Sequence, residues 1–182
     1  MILAIRPEPG CQATVAAGNA TGLAIEGCPL FEIRSLDWAL PSGHFDGLLL
    51  GSANALRHGG PLVDKLVDIP VYTVGEATAD AARQSGFAVV RTGHRGLQEL
   101  LAAMAGEPLR LLRLGGREHV PLEPPPGIAI QAVIAYESIG LPMPVLVAER
   151  LKSGAVVLLH SAAAARHFAA EFFHERGAAR LD

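Results

Sequence analysis

The sequence is poor in aromatic residues and cysteine, and both shortages narrow the class of protein. Aromatic residues make up 5% of the 182 residues although 50% of the chain is hydrophobic, so the core must be aliphatic. Aliphatic cores are typical of parallel sheets that are covered by helices on both faces. The two cysteines, Cys11 and Cys28, have neither disulfide nor metal-ligand spacing, which favours a reducing cytoplasm.

Long apolar runs and a net positive charge are also missing. No apolar run reaches the roughly 20 residues that a membrane-spanning helix needs. The N-terminus lacks the basic start and the apolar stretch of a signal peptide. A net charge of −3 gives no general basic field for nucleic acid. We therefore expect a cytoplasmic globular protein that binds neither membranes nor nucleic acids.

The catalytic motifs that are easiest to recognise are absent as well. The sequence contains no GxGxxG, GxxxxGK, HExxH or GxSxG motif. The histidines are scattered, and neither cysteine shares a segment with one, so neither a metal site nor a thiol nucleophile is predicted. Any chemistry of this chain is expected to need no metal and no cofactor.

Short apolar runs alternate with alanine-rich helical stretches, which is the pattern of repeated βα units in a doubly wound α/β fold. The half-exposed segment 31–36 is predicted to be an extended connection. Strands are predicted at 2–5, 23–28, 46–50, 71–74, 87–90, 109–114, 128–136 and 155–159, and helices at 9–22, 53–58, 77–85, 97–105, 145–152 and 162–176.

Internal repeats indicate how these units are arranged. Residues 48–56 match residues 157–165, because each segment has a buried strand, one variable residue, a serine and an alanine-rich helix start. A weaker similarity relates residues 2–8 to residues 111–118. The general likeness of all alanine-rich βα turns is an alternative explanation that the spacing alone leaves open.

A true repeat implies two interleaved lobes with the working site in the cleft between them. The outer lobe would combine residues 1–30 with 144–182, and the inner lobe would span 45–136. Linkers at about 31–44 and 134–143 would join the lobes as two extended strands. The outer lobe has no counterpart of the units that follow residue 58, so we expect it to be incomplete, with its C-terminal part missing.

Ligands of open parallel sheets bind beyond the carboxyl ends of the strands. The turns predicted there contain glycine or a small hydroxyl residue that opens a helix, and their free N–H groups can bind anions. Helix capping is the alternative explanation for the hydroxyl residues. The candidate binding residues are Arg6, Ser52, Thr78, Gly115, Gly116, Arg117 and Ser161.

Six stretches of the chain, in this order, resemble the uroporphyrinogen-III synthase family. They are RPEPG at 6–10, FDGLLLGSANALRHGG at 45–60, VYTVGEATADAARQSGF at 71–87, LRLGGRE at 112–118, AYES at 135–138 and LLHSAAAARHF at 158–168. The resemblance runs over the whole chain, and the segment 71–87 carries its most specific part.

The resemblance implies two flavodoxin-like lobes that are joined by a two-stranded ladder, with one lobe built from both chain ends. It implies an enzyme that converts hydroxymethylbilane to uroporphyrinogen III, with loss of water, ring closure and inversion of ring D. No cofactor is used, and the substrate is a linear tetrapyrrole with eight carboxylates. We expect a monomer. The alternative is a two-lobed sensor that binds a polycarboxylate ligand without chemistry.

The resemblance also assigns individual residues. Tyr136 matches the family's cleft tyrosine, which implies a catalytic hydroxyl, although packing between the lobes is an alternative role. Thr78 matches the threonine of the family's Gly-x-Ala-Thr motif. Ser52 and Ser161 match the serines of the two strand–turn repeats. His160 departs from the family pattern, which often has threonine or serine there.

Overall fold

The computed structural model describes residues 1–106 and 108–178, with side chains described as far as residue 174. The strands are β1 Ile2–Ala4, β2 Ile25–Gly27, β3 Phe31–Ser35, β4 Gly47–Leu50, β5 Val71–Val74, β6 Val89–Gly93, β7 Leu109–Gly116, β8 Ile128–Gly140 and β9 Val156–Leu158. The helices are α1 Gly10–Ala20, α2 Asn54–His58, α3 Glu76–Gln84, α4 Leu97–Ala102, α5 Val145–Lys152 and α6 Ala162–Ala178, with a 3-10 helix at Pro61–Leu66.

These strands form two sheets. One has three strands in the order β2-β1-β9, and the other has six in the order β3-β8-β7-β4-β5-β6. The pairings of β1 with β2 and β9, of β4 with β5 and β7, of β5 with β6, and of β7 with β8 are all parallel. The predicted α/β class with parallel sheets is confirmed.

The chain divides into two compact units. The first comprises Met1–Ile33 and the chain from Ile139 onward, and the second comprises Arg34–Ser138. The chain leaves the first unit within β3 and returns to it within β8, and these two strands are neighbours in the six-stranded sheet. The lobe and linker boundaries given above stay a prediction.

The two sheets share part of their strand order. In the first unit β1 lies between β2 and β9, and in the second β7 lies between β8 and β4. The sequence repeats relate β9 to β4 and β1 to β7, so β2-β1-β9 corresponds to β8-β7-β4. In the second unit β5 and β6 extend the sheet beyond β4. In the first unit no described strand extends the sheet beyond β9.

The core of the second unit is aliphatic and lies on both faces of its sheet. Leu48 and Leu50 of β4 pack in one cluster with Leu112 and Leu114 of β7. Leu49, which points the other way, packs in a second cluster. Because both faces of β4 are buried, the strand appears in the sequence as an uninterrupted run of leucines.

Most predicted elements lie within a few residues of their observed bounds, and β6 shows the clearest shift. The strand predicted at 87–90 runs instead over Val89–Gly93. Phe87 forms part of the C-terminal cap of α3. Its N–H donates to the Ala82 carbonyl at 3.0 Å, and Gly86 adopts a φ of +86°. This is the hydrogen bond of a Schellman cap, so the strand begins only after the cap.

Because no strand within the described residues pairs with the outer side of β9, we predict that this chain associates with itself. Val156 is 60% exposed, and the segment 154–159 contains neither a charge nor a proline, the usual protection of an edge strand. Val156→Lys should therefore reduce concentration-dependent light scattering while leaving the melting temperature within a few degrees. Val90→Lys is the control, because Val90 is 55% exposed on β6, a terminal strand that already carries Arg91. Equal effects of the two variants would contradict the prediction.

Candidate functional site

A cleft of about 460 Å³ lies where β4, β7 and β8 of the second unit reach their carboxyl ends. We call it the strand-end cleft. All of its lining residues belong to the second unit. Its polar and glycine lining includes Ser52, Arg113, Gly115, Gly116, His119 and Tyr136.

A β-bulge places Tyr136 in this cleft. Gly115 of β7 lies opposite Ile134 of β8, but Gly116 lies opposite Tyr136, so β8 contains one extra residue, the buried Ala135. Bulges of this kind turn a side chain in a new direction at the end of a pair of strands.

The Tyr136 ring lies directly on the backbone of Gly116. A Cβ atom added to Gly116 would be 2.7 Å from Cε2 of the ring and 3.2 Å from its hydroxyl oxygen. A side chain at position 116 would therefore displace the ring. Position 115 has no such restriction, because no atom lies within 4 Å of a Cβ placed on Gly115.

Tyr136 is partly buried, and its ring packs against the core cluster that contains Leu114 and Ala135. Its ring centroid is 6.4 Å from that of His58 at the end of α2. Burial, and secondarily the neighbouring Arg57, lower the pKa of His58. Since its pKa lies below the usual 6.5, His58 is neutral at pH 7. Tyr136 thus has an apolar support, and its ring still borders the strand-end cleft.

Arg113 is a cleft residue that the sequence reasoning did not single out. It lies in β7 between buried leucines, and its Nη1 donates a hydrogen bond of 3.0 Å to the Val120 carbonyl. Burial lowers the pKa of Arg113, and the nearby Tyr136 opposes this shift. An arginine remains charged at neutral pH after such a shift. The only available signal was an arginine between leucines in the second half of the predicted strand.

A second cavity of about 550 Å³ lies at the opposite end of the same sheet. Its walls come from the segments before β4 and β5, including Phe45, Asp46 and Lys65. The cavity is larger than the strand-end cleft, but it contains none of the residues predicted from sequence. It also lies at the amino ends of the strands, where parallel sheets do not usually bind ligands.

Two structural observations bear on the expectations about metals and membranes. Across the residues that the structure describes, no group of three or more His, Cys, Asp and Glu side chains is placed to hold a metal ion. No helix in that part of the chain is long and apolar enough to cross a membrane.

Comparison with known families decides the classification. The family profile of uroporphyrinogen-III synthase HemD matches residues 12–180. The chain belongs to the uroporphyrinogen-III synthase family. The family inferred from the six stretches of sequence is therefore confirmed. No curated protein sequence gives a significant match.

Solved structures of uroporphyrinogen-III synthases share the fold. The enzyme from Helicobacter pylori is 18% identical with a TM-score of 0.60, covering 94% of this chain and 78% of that chain. A mutant enzyme from the extremely thermophilic bacterium Thermus thermophilus is 14% identical with a TM-score of 0.56, covering 94% of this chain and 77% of that chain. At such identities the likeness establishes the fold.

The structure brings four of the residues predicted for a uroporphyrinogen-III synthase site together in the strand-end cleft. They are Ser52, Gly115, Gly116 and Tyr136. Thr78 does not line this cleft, since it is 6% exposed in the first turn of α3. Ser52 also makes a local turn, because its Oγ accepts a hydrogen bond of 3.2 Å from the Asn54 N–H.

Arg117 follows β7 immediately and has a surface partner. Its Nε donates to Glu137 at 2.9 Å, and its side chain is 60% exposed. Its backbone N–H donates to the Tyr136 carbonyl at 2.9 Å. Arg117 therefore fixes the position of β8 next to the cleft and offers its guanidinium only in part to a ligand.

The two remaining predicted residues, Arg6 and Ser161, belong to the first unit. Arg6 follows β1 and lies against Gly10, where an added Cβ would be 2.5 Å from its Nε. Ser161 caps α6, because its Oγ accepts a hydrogen bond of 3.0 Å from the Ala164 N–H. His160 lies close to Arg6, and burial followed by the charge of Arg6 lowers its pKa. Parallel pairing of Ala4 with Leu158 puts all three at one edge of the sheet.

The contact of Tyr136 with Gly116 predicts different effects of alanine at two adjacent glycines. Gly116→Ala should lower the free energy of unfolding by about 1–3 kcal/mol, because the new methyl group overpacks the site and displaces the ring. Gly115→Ala is the control and should change stability by less than about 0.5 kcal/mol, since its methyl group meets open space. Urea titration of both variants measures the difference. Equal stabilities would show that the Tyr136 ring does not rest on Gly116.

Proposed function

We propose that this protein is a uroporphyrinogen-III synthase whose strand-end cleft binds hydroxymethylbilane and cyclises it to uroporphyrinogen III. The observation that carries the proposal is the family match over residues 12–180, together with the meeting of Tyr136, Ser52 and Arg113 in one cleft. We further propose that the enzyme works without a cofactor, as a monomer in the cytoplasm. No observation favours a sensor without catalytic activity.

Binding of the substrate depends on recognition of its carboxylates. Arg95 and Arg113 both line the strand-end cleft and supply positive charge there. Arg113 is the stronger candidate, because a charged hydrogen bond gains strength where water is partly excluded. A planar guanidinium can also bind a carboxylate through two parallel hydrogen bonds. The hydrogen bond from Arg113 to the Val120 carbonyl uses one nitrogen and fixes the orientation of the guanidinium group.

The chemical step begins with loss of a hydroxyl group, which is a poor leaving group until it is protonated. The resulting azafulvene cation is attacked by ring D at its substituted carbon. The Tyr136 hydroxyl is our candidate to donate the proton or a hydrogen bond to the leaving oxygen. A phenol is a weak acid at neutral pH. Most of the rate enhancement therefore comes from holding ring D against the reactive carbon.

Tyr136→Phe removes only the hydroxyl, so the fold should be retained and turnover should fall. General acid help typically contributes 10²–10⁴-fold, and we expect an effect of about 10²-fold or less. The assay separates uroporphyrinogen III from the type I isomer that forms spontaneously. Unchanged formation of the type III isomer would make Tyr136 a packing residue only. A wild-type protein that yields only type I would contradict the proposed function itself.

The two arginines around the end of β7 should differ in their effect on binding. Arg113→Gln should raise KM about tenfold or more, because a partly buried charged hydrogen bond contributes roughly 1.5–3 kcal/mol. Arg117→Gln should raise KM only a few-fold, because the exposed guanidinium already pairs with Glu137. Steady-state kinetics with hydroxymethylbilane measures both. A larger effect of Arg117→Gln would reverse the assignment.

A further inference from the structure

We infer that His119 is a second proton-transfer residue of the strand-end cleft, acting through its Nε2 atom as the base of the cyclisation. The inference rests on the proposed function and adds a residue to that site. His119 lines the cleft together with Tyr136 and Arg113. Its side chain is exposed, so a ligand in the cleft can reach it.

Hydrogen bonds fix the orientation and the tautomer of the His119 ring. Its Nδ1 lies 3.0 Å from the Gly116 carbonyl oxygen and 3.1 Å from the Arg117 carbonyl oxygen. Both of these atoms are acceptors, so Nδ1 carries the proton in the neutral ring. Nε2 then holds the free lone pair, and no residue within the described ranges hydrogen-bonds to it. An imidazole held in this way is suited to accept a proton.

Gly116 supports both proton-transfer groups. Its carbonyl oxygen accepts the hydrogen bond from His119, and its Cα face supports the ring of Tyr136. The carboxyl end of β7 thereby holds a phenol and an imidazole at one cleft. Both contacts involve the backbone of one residue, so the two groups lie at the same end of β7.

The overall reaction needs one proton donor and one proton acceptor. The hydroxyl group leaves with an added proton as water, and its carbon bonds to the ring D carbon that carried the bridge to ring C. That bridge moves to the free α-carbon of ring D, whose hydrogen leaves as a proton. The C–H electron pair returns to the pyrrole ring, so nothing is oxidised or reduced. We assign Tyr136 as the donor of the proton that the leaving hydroxyl group takes up. We assign Nε2 of His119 as the acceptor of the proton that leaves the α-carbon of ring D.

His119 shares the cleft with several charged side chains. The other charged or titratable side chains that line the cleft are Arg95, Arg113, Glu118 and Tyr136. Arg117 is adjacent in the chain and pairs with Glu137. Arginines keep their charge at neutral pH. His58 contacts Tyr136 but does not line the cleft.

The test uses the full chain and the variant His119→Gln. Glutamine keeps an N–H donor for the Gly116 carbonyl but cannot transfer a proton. We expect kcat to fall about 10²-fold with KM changed less than threefold. His94→Gln is the matched control, since His94 is an exposed histidine that does not line the cleft.

A second variant keeps the inference testable if His119→Gln fails to fold. His119→Ala removes the ring, and added imidazole should restore turnover at least tenfold if proton transfer is the lost function. A folded variant with wild-type kcat would overturn the role of His119 while leaving the proposed function intact. Absence of rescue by imidazole would overturn it as well. Formation of only type I product by the wild type would instead overturn the proposed function, and the inference with it.

Discussion

The parallel pairing of β7 with β4 on one side and β8 on the other is the constraint on which the strand-end cleft depends. Parallel pairing makes three neighbouring strands end at the same edge, where Ser52, Gly116 and Tyr136 meet. The leucines of β4 and β7 hold this arrangement, because they are buried on both faces of the sheet. The bulge at Ala135 then turns Tyr136 onto Gly116. The geometry of this edge therefore depends on the apolar core of the second unit.

Much of the fold was predictable because the signals are local and repeated. The apolar run 48–50 and the Gly75 turn mark strand–turn–helix units, and parallel sheets require such alternation. The similarity of 48–56 to 157–165 and of 2–8 to 111–118 also agrees with the shared order of β9, β1, β4 and β7. Strand ends were less predictable, since Phe87 looks like a strand residue but its N–H completes the cap of α3.

The site was predicted only in part, for physical reasons that concern individual residues. Glycines and serines at strand ends are visible in a sequence, so Ser52 and Gly116 could be named. Arg113 and His119 are held in the cleft by contacts with the Val120 and Gly116 carbonyls, and backbone positions of this kind leave no pattern in the sequence. Thr78 illustrates the opposite case, because its motif position is recognisable but its side chain is buried in α3.

The central claim is that the tetrapyrrole binds at the carboxyl ends of β4, β7 and β8. Titration of ¹⁵N-labelled protein with uroporphyrinogen III under reducing conditions tests it most directly by NMR. The account predicts that the amide signals of Ser52, Gly115, Gly116 and His119 shift together with one binding constant. The amides of Asp46 and Lys65, in the cavity at the other end of the sheet, should stay unchanged. Shifts confined to that second cavity would contradict the claim.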